Sequence, residues 1–526
     1  MNMKRRDFLR NTVPVGIALP SLVSGFSFKA FGADSAFAQS LLLPVTETDH
    51  IVVIIQLNGG NDGLNMVIPL ENFSNYVSAR SNIYIPENKV LKLNGITKTG
   101  LHPAMTGLQT MFNEGKLNVI HSVGYPQPSF SHFRATDIWM SASDSNNVVN
   151  SGWAGRYLNY EYPNFPNGYP NSTMKDPLAI QIGSATSLTF QGPAVNMAMS
   201  ISNPSTFYNL VNGVQDPAPN TPAGKELTYV RQISQQTQQY ATVIKDAAAK
   251  VTTQATYPTG NSLADQLKIV ARLIKGGLQT RVYMVNYGGF DTHSAQVTST
   301  DTSIGTHATL LGNVSNAIKA FQDDLKFLGI EERVIGMTFS EFGRRIKSNA
   351  STGTDHGAAA PSFVFGKNVI GGVTGDTPNF GASISVNDNV PFQYDFRSIY
   401  STILSNWLCV NDNDLQQVML KNFQNLPLVN AAGCKKAVNL SGESLISNYP
   451  NPFTNSTVIT FKTNGGHTLI QIIDTSGRVI TNLIDKDYPA GTFTVSFNGA
   501  NLPSGIYYAR LQNMAIQQVR SMIKVR

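Results

Sequence analysis

Apolar residues in this chain fall into short, dense runs. After His50 come Ile51, Val52, Val53, Ile54 and Ile55, and the run closes at Leu57. A continuous β-branched run of this kind fits a strand buried on both faces. Leu117 to Val123, Arg281 to Tyr287 and Arg333 to Phe339 share the habit. Between them the apolar spacing changes to threes and fours, over Ala264 to Ile274 and over Leu310 to Leu328, where Ile318, Phe321, Leu325 and Leu328 share a stripe. Strands alternating with helices predict an α/β domain with a mostly parallel sheet flanked by helices. The stretch 146–222, rich in Asn, Pro, Gly and Tyr, reads as an irregular insertion.

The pattern changes towards both ends. Val458 to Phe461, Leu469 to Ile473, Val479 with Ile480, Phe493 to Phe497 and Ile506 to Leu511 are short β-patterned runs separated by Asn, Gly, Pro and Asp turns. They predict a small all-β sandwich as a separate module. At the start, Lys4, Arg5 and Arg6 precede Phe8 and Leu9, and an apolar stretch follows from Val13 to Phe31. Pro14, Gly16, Pro20 and Gly25 interrupt it, so it cannot form the roughly 20-residue apolar helix that spans a bilayer. It reads as a signal peptide with a cleavage site around Ala36 and Ala38, and no transmembrane anchor is expected. The layout is therefore a signal peptide over 1–38, an α/β domain over 45–435 and a β-sandwich over 445–526.

Composition adds little to this and removes one reading. Of 526 residues, 41% are hydrophobic and 14% charged, and the formal charge is +6. Within 1–38, five basic residues stand against two acidic ones, so cleavage removes a net +3 and no nucleic-acid partner is indicated. Cys409 and Cys434 leave one disulfide and two separate thiols equally open.

Candidate chemistry collects where strands end. The first run leads into Asn58-Gly59-Gly60-Asn61-Asp62-Gly63, the second through Gly124 to Ser131, His132, Phe133 and Arg134, the third into Gly288-Gly289-Phe290-Asp291-Thr292-His293, and the fourth into Ser340-Glu341-Phe342-Gly343-Arg344-Arg345. Asp355 and His356 follow inside Gly353 to Gly357. Open α/β sheets place ligands beyond the carboxyl ends of their strands. Asp291 and His293, two positions apart on extended chain, point the same way and suit one cation. A bound divalent metal (zinc, calcium or magnesium) could ionise a water or serine, or stabilise charge on a phosphoryl or sulfuryl oxygen. Plainer readings stand beside these: Asp62 capping the next helix, and Glu341 pairing with Arg344 or Arg345.

Two resemblances rest on these residues. Asn451-Pro452-Phe453, Gly477-Arg478, Ala490-Gly491 and Leu502 through Ser504-Gly505-Ile506-Tyr507 resemble the type A sorting domain of the type IX secretion system. Arg5 and Arg6 before Phe8 and Leu9 resemble the twin-arginine signal. Together they imply the twin-arginine translocase and the type IX machinery as partners, and passage through the periplasm to the cell surface or beyond. Gly59 to Asn65, Leu101-His102-Pro103, Ser131-His132-Phe133, Gly152 to Arg156, Phe290 to Gln296, Ser340 to Arg345, Gly353 to Gly357 and Asp395-Phe396-Arg397 resemble the family of domain of unknown function 1501, related to the alkaline phosphatase and sulfatase superfamily.

That resemblance implies an alkaline-phosphatase-like sheet with one or two divalent metals beside a nucleophile. Asp62, Asp291, His293, Glu341 and His356 would hold the metal and Ser131 would attack, with His132, Arg134 or Arg344 contacting the anion. Ser340-Glu341 stands where the superfamily commonly shows an adjacent Asp-His pair, and no Cys-x-Pro-x-Arg sulfatase motif occurs. The function implied is hydrolysis of small phosphate or sulfate esters. The alternative is a surface or periplasmic binding protein that keeps the fold without turnover.

Overall fold

A computed structural model describes residues 48–172, 174–203, 239–430, 434, 446–474, 478–513 and 516–525, with two-residue strands at Leu22–Val23 and Phe26–Ser27. The paired arginines of the signal peptide and its cleavage site lie outside the described residues. The chain forms two compact units, Thr48–Gly433 and Met1–Glu47 with Cys434–Arg526. Neither cysteine is free; Cys409 and Cys434 are both disulfide-bonded. Among the described residues no helix is long and apolar enough to cross a membrane.

The larger unit is built on a nine-stranded sheet. Its strands are β1 (Ile51–Leu57), β2 (Leu117–Gly124), β3 (Ala179–Ile182), β4 (Met199–Ile201), β5 (Val282–Tyr287), β6 (Val334–Phe339), β9 (Ala360–Gly366), β10 (Gly372–Thr374) and β11 (Tyr394–Asp395). A separate antiparallel pair, β7 (Arg344–Ser348) and β8 (Thr354–His356), follows β6. The spatial order is β10-β2-β9-β6-β1-β5-β3-β4, with β11 beside β2. Only β9 opposes its neighbours, so the sheet is mostly parallel, as the β-branched runs predicted. All seven residues of β1 are buried. Ile51, Val53, Ile55 and Leu57 join one apolar layer, which includes α1 (Thr106–Asn113), α4 (Ser262–Lys275) and α5 (Thr306–Phe327). Val52 and Ile54 join the opposite layer, with α2 (His132–Ser141), α3 (Trp153–Glu161) and α6 (Phe396–Thr402). Helices on both faces explain why β1 shows no polar alternation.

The stretch read as an irregular insertion is more integrated than its composition suggested. It supplies α3 and the last two strands on one side of the sheet, β3 and the edge strand β4, whose few residues pair in parallel and leave little periodicity to read.

In the smaller unit, β12 (Ile446–Tyr449), β13 (Ser456–Asp474), β14 (Val479–Asn498), β15 (Gly505–Asn513) and β16 (Ile516–Lys524) form one antiparallel sheet. The short runs of the sequence fuse into two long strands, β13 and β14. Gly465 and Gly466, at φ 98° and 86°, interrupt β13 midway. Ile459, Phe461, Ile470, Ile472, Phe497 and Leu511 lie in its apolar core.

Candidate metal centre

Four loops meet beyond the carboxyl ends of β1, β2, β5 and β6. Gly59 lets two of them touch: its φ is +123°, and a Cβ there would stand 2.4 Å from the Asp291 nitrogen. Gly353 plays the same part between the later loops, since a Cβ would lie 2.3 Å from the His293 carbonyl carbon. Backbone bonds from Ala295 to Ser351, Gln296 to Thr352 and Thr354 to Thr292 tie these segments together. Arg344, fully buried, donates to the carbonyls of Gly59, Gly60, Phe290 and Thr354, and its Nη2 reaches Asp291 Oδ1 at 2.7 Å.

Around that oxygen stand three imidazoles. Asp291 Oδ1 lies 3.2 Å from His293 Nε2, 3.4 Å from His356 Nε2 and 3.5 Å from His132 Nε2. His293 Nε2 and His356 Nε2 are 2.8 Å apart. In each ring the other nitrogen faces an acceptor: His132 Nδ1 meets Glu341 Oε1 at 2.8 Å, His356 Nδ1 meets the Phe130 carbonyl at 2.7 Å, and His293 Nδ1 meets Asp355 Oδ1 at 3.3 Å. A neutral ring with its proton on Nδ1 presents a bare lone pair at Nε2. With a cation in place and each proton on Nδ1, the rings would turn such lone pairs toward the space beside the carboxylate oxygen. His132 Nε2 is buried with no hydrogen-bond partner.

Four ligands about 2.0–2.1 Å from a tetrahedral zinc lie roughly 3.3 Å from one another. The three spacings around Asp291 Oδ1 match that edge, the 2.8 Å between His293 and His356 is shorter, and among the described residues the ligand atoms that all lie at mutual ligand spacing are those of His132, Asp291 and His356. Outer acceptors that orient ligating imidazoles are the usual surroundings of such a site. The Phe342 ring, 4.8 Å from His132 and 4.5 Å from His356 between centroids, walls both rings.

Burial holds the His356 pKa below its ordinary value against the Phe130 bond, which favours the neutral ligand form. For Asp291, burial pushes upward, but the bond and charge of Arg344 outweigh it and the carboxyl stays below its ordinary range.

The structure thus brings together Asp291, His293 and His356 of the proposed ligands and adds His132, which the sequence reading had facing an anion. Glu341 stands one step back: Oε1 accepts from the Gly59 nitrogen at 2.9 Å and faces His132. Asp62 is elsewhere. Fully buried, its two oxygens take Arg80 Nη1 at 2.7 and 2.6 Å, and Oδ2 also takes Gln296 Nε2 at 2.6 Å. Its carboxyl lies below the ordinary range because Arg80, aided by further hydrogen bonds, overcomes the burial effect. Asp62 precedes a one-turn helix without capping it by its side chain.

Ser131 is exposed at the N-terminus of α2, beside His132. Arg134 turns away: its Nη2 donates to the carbonyls of Asp144, Ser145 and Asn147. Asp355, Phe342 and Arg80 were missed. The first two sit inside motifs already singled out, whereas Arg80 carried no local signal.

These features define an α/β protein with a histidine-rich candidate cation site. The chain belongs to the family described as "Protein of unknown function (DUF1501)", whose model matches residues 49–413. Residues 447–525 match the model described as "Secretion system C-terminal sorting domain", and the protein is exported to the cell surface or secreted. None of the curated proteins matches the chain. Similar solved structures include a protein in the alkaline phosphatase superfamily from Vibrio parahaemolyticus (9% identity, TM-score 0.32, covering 93% of this chain and 91% of the other). Another is the alkaline phosphatase from the Antarctic bacterium TAB5 (11% identity, TM-score 0.27, covering 72% and 99%). A third is the PsFucS1 sulfatase from Pseudoalteromonas sp. (11% identity, TM-score 0.27, covering 88% and 86%).

Proposed function

We propose that this protein is an exported metal-dependent hydrolase of small phosphate or sulfate esters, delivered by twin-arginine and type IX transport. The observation that carries the reading is the convergence of His132, His293 and His356 Nε2 on Asp291 Oδ1, each imidazole turned by an acceptor behind it. Three nitrogens and one carboxylate oxygen favour zinc or a similar transition ion over calcium or magnesium, which take oxygen ligands. Such a cation supplies a Lewis acid and a lowered pKa for a bound hydroxyl. The chain's part is positioning. Glu341, Asp355 and the Phe130 carbonyl hold the rings, and Phe342 fixes two of them. Ser131, exposed beside His132, would present the nucleophilic hydroxyl.

A second reading is a binding protein that holds a cation and an anionic surface ligand without turnover. It is favoured by the commitment of every Arg344 nitrogen to backbone carbonyls, and by the turn of Arg134 Nη2 away to three others, which draws both guanidinium groups off a transferring group. Hydrolysis of 4-nitrophenyl phosphate and 4-nitrophenyl sulfate by the zinc-loaded protein separates the two. Turnover lost in a folded Ser131→Ala variant supports the hydrolase. No turnover with zinc bound supports the binding protein.

A further inference from the structure

We infer that the centre is mononuclear, with Arg80 serving as a permanent internal cation where a second metal would need Asp62. This rests on the metal-centre reading above and concerns how many ions that centre takes. Two carboxylates stand at the ends of neighbouring strands, Asp62 after β1 and Asp291 after β5, and the structure treats them differently.

Asp291 is half exposed, and its one guanidinium contact leaves it open on the side of the imidazoles. The Asp62 and Arg80 side chains are both wholly inaccessible. Arg80 Nη1 spans both Asp62 oxygens and also reaches Asn65 Oδ1 at 3.0 Å. Its remaining nitrogens are fixed by the carbonyls of Ile346, at 2.8 Å, and Arg345, at 2.7 Å. Gln296 occupies the other approach to Asp62 Oδ2.

Nearby donors are equally committed: His307 Nε2 meets Asn61 Oδ1 at 2.9 Å, and Asn65 Nδ2 donates to the Ile83 carbonyl at 2.7 Å. A divalent ion at Asp62 would have to expel a buried guanidinium whose hydrogen bonds are otherwise satisfied, leaving that charge unpaired. Among the described residues, the single group of three or more His, Cys, Asp or Glu with ligand spacing is His132, Asp291 and His356. The donor set at Asp62 does not fit a metal, while the set at Asp291 does.

The test is zinc stoichiometry on the full mature chain, by elemental analysis after equilibration with zinc and desalting. Wild type should hold one zinc per chain, and Asp291→Asn, a change at a half-exposed position, should hold none. Two zinc ions in wild type would overturn the single-ion assignment while leaving a metal centre intact, and one retained in Asp291→Asn would overturn the placement of that ion on Asp291. No zinc in wild type would overturn the metal-centre reading itself and this inference with it. Arg80→Ala gives a positive arm: it vacates the guanidinium position, so in zinc-saturated protein its melting temperature should fall and then rise again with added magnesium. Asp62→Asn combined with Arg80→Ala should show no such rescue. Rescue of the double variant equal to that of Arg80→Ala would count against Asp62 as the hidden carboxylate.

Discussion

Glu341 reaches the centre only through another side chain, and its contribution can be measured separately. It accepts from both the Gly59 nitrogen and His132 Nδ1. Glu341→Ala removes both bonds and frees the His132 ring to turn. Zinc affinity should fall about 10- to 100-fold, read by competition with a chromogenic chelator, and Glu341→Gln, whose carbonyl oxygen still accepts, should recover most of it. Away from the centre, three buried histidines should weaken the fold in acid. Burial lowers the pKa of His102 to about 3 and of His121 and His307 to about 4. In the unfolded chain they titrate near 6.5, so between that value and about 4 the unfolded state binds more protons. Stability is therefore full above about pH 6.5 and falls as pH drops through this window, by about 1.4 kcal/mol per pH unit for each ring. Urea midpoints measured from about pH 7 to about pH 4.5 in metal-free buffer should decline steadily, and His→Gln changes at all three positions should flatten the curve.

At the scale of elements, the strands were legible because β1, β2, β5 and β6 are covered on both faces and show as unbroken apolar runs. Ile54→Ala should cost about 2–5 kcal/mol in equilibrium unfolding. Ile54 is buried in the layer opposite to that of Ile51, Val53 and Ile55, and no solvent reaches the gap it would leave. The short strands β3 and β4 were not legible, because a few residues beside Pro and Gly leave no period to detect. Asp291 and His293 could be paired from spacing alone, two positions on extended chain. The fate of Asp62 could not, because its partner Arg80 is 18 positions away and is brought there by the fold. Loop contact depends on Gly59. Gly59→Ala adds a Cβ against the Asp291 nitrogen in a backbone conformation that costs an L-residue about 1–3 kcal/mol. Both melting temperature and zinc affinity should fall in that variant.

For the whole molecule, the ligands of one proposed ion come from α2, the loop after β5 and β8, so binding it and folding are linked. Zinc at about 100 times its dissociation constant should add about 2.7 kcal/mol to unfolding, and a chelator should remove that gain. Removal of 445–526 should leave a folded, zinc-binding protein that stays in the periplasm; unfolding of the truncated chain would mean that the tail is structural. The parting of the ligands along the chain has a further consequence outside the cell. There, no chaperone restores an opened protein, and a protease needs only a brief opening to make its cut. An ion that joins remote segments acts as a removable staple, shortening the time those loops stand open. The working lifetime of the protein would then follow the free zinc of its surroundings, long where the ion is plentiful and short where other organisms' chelators strip it away.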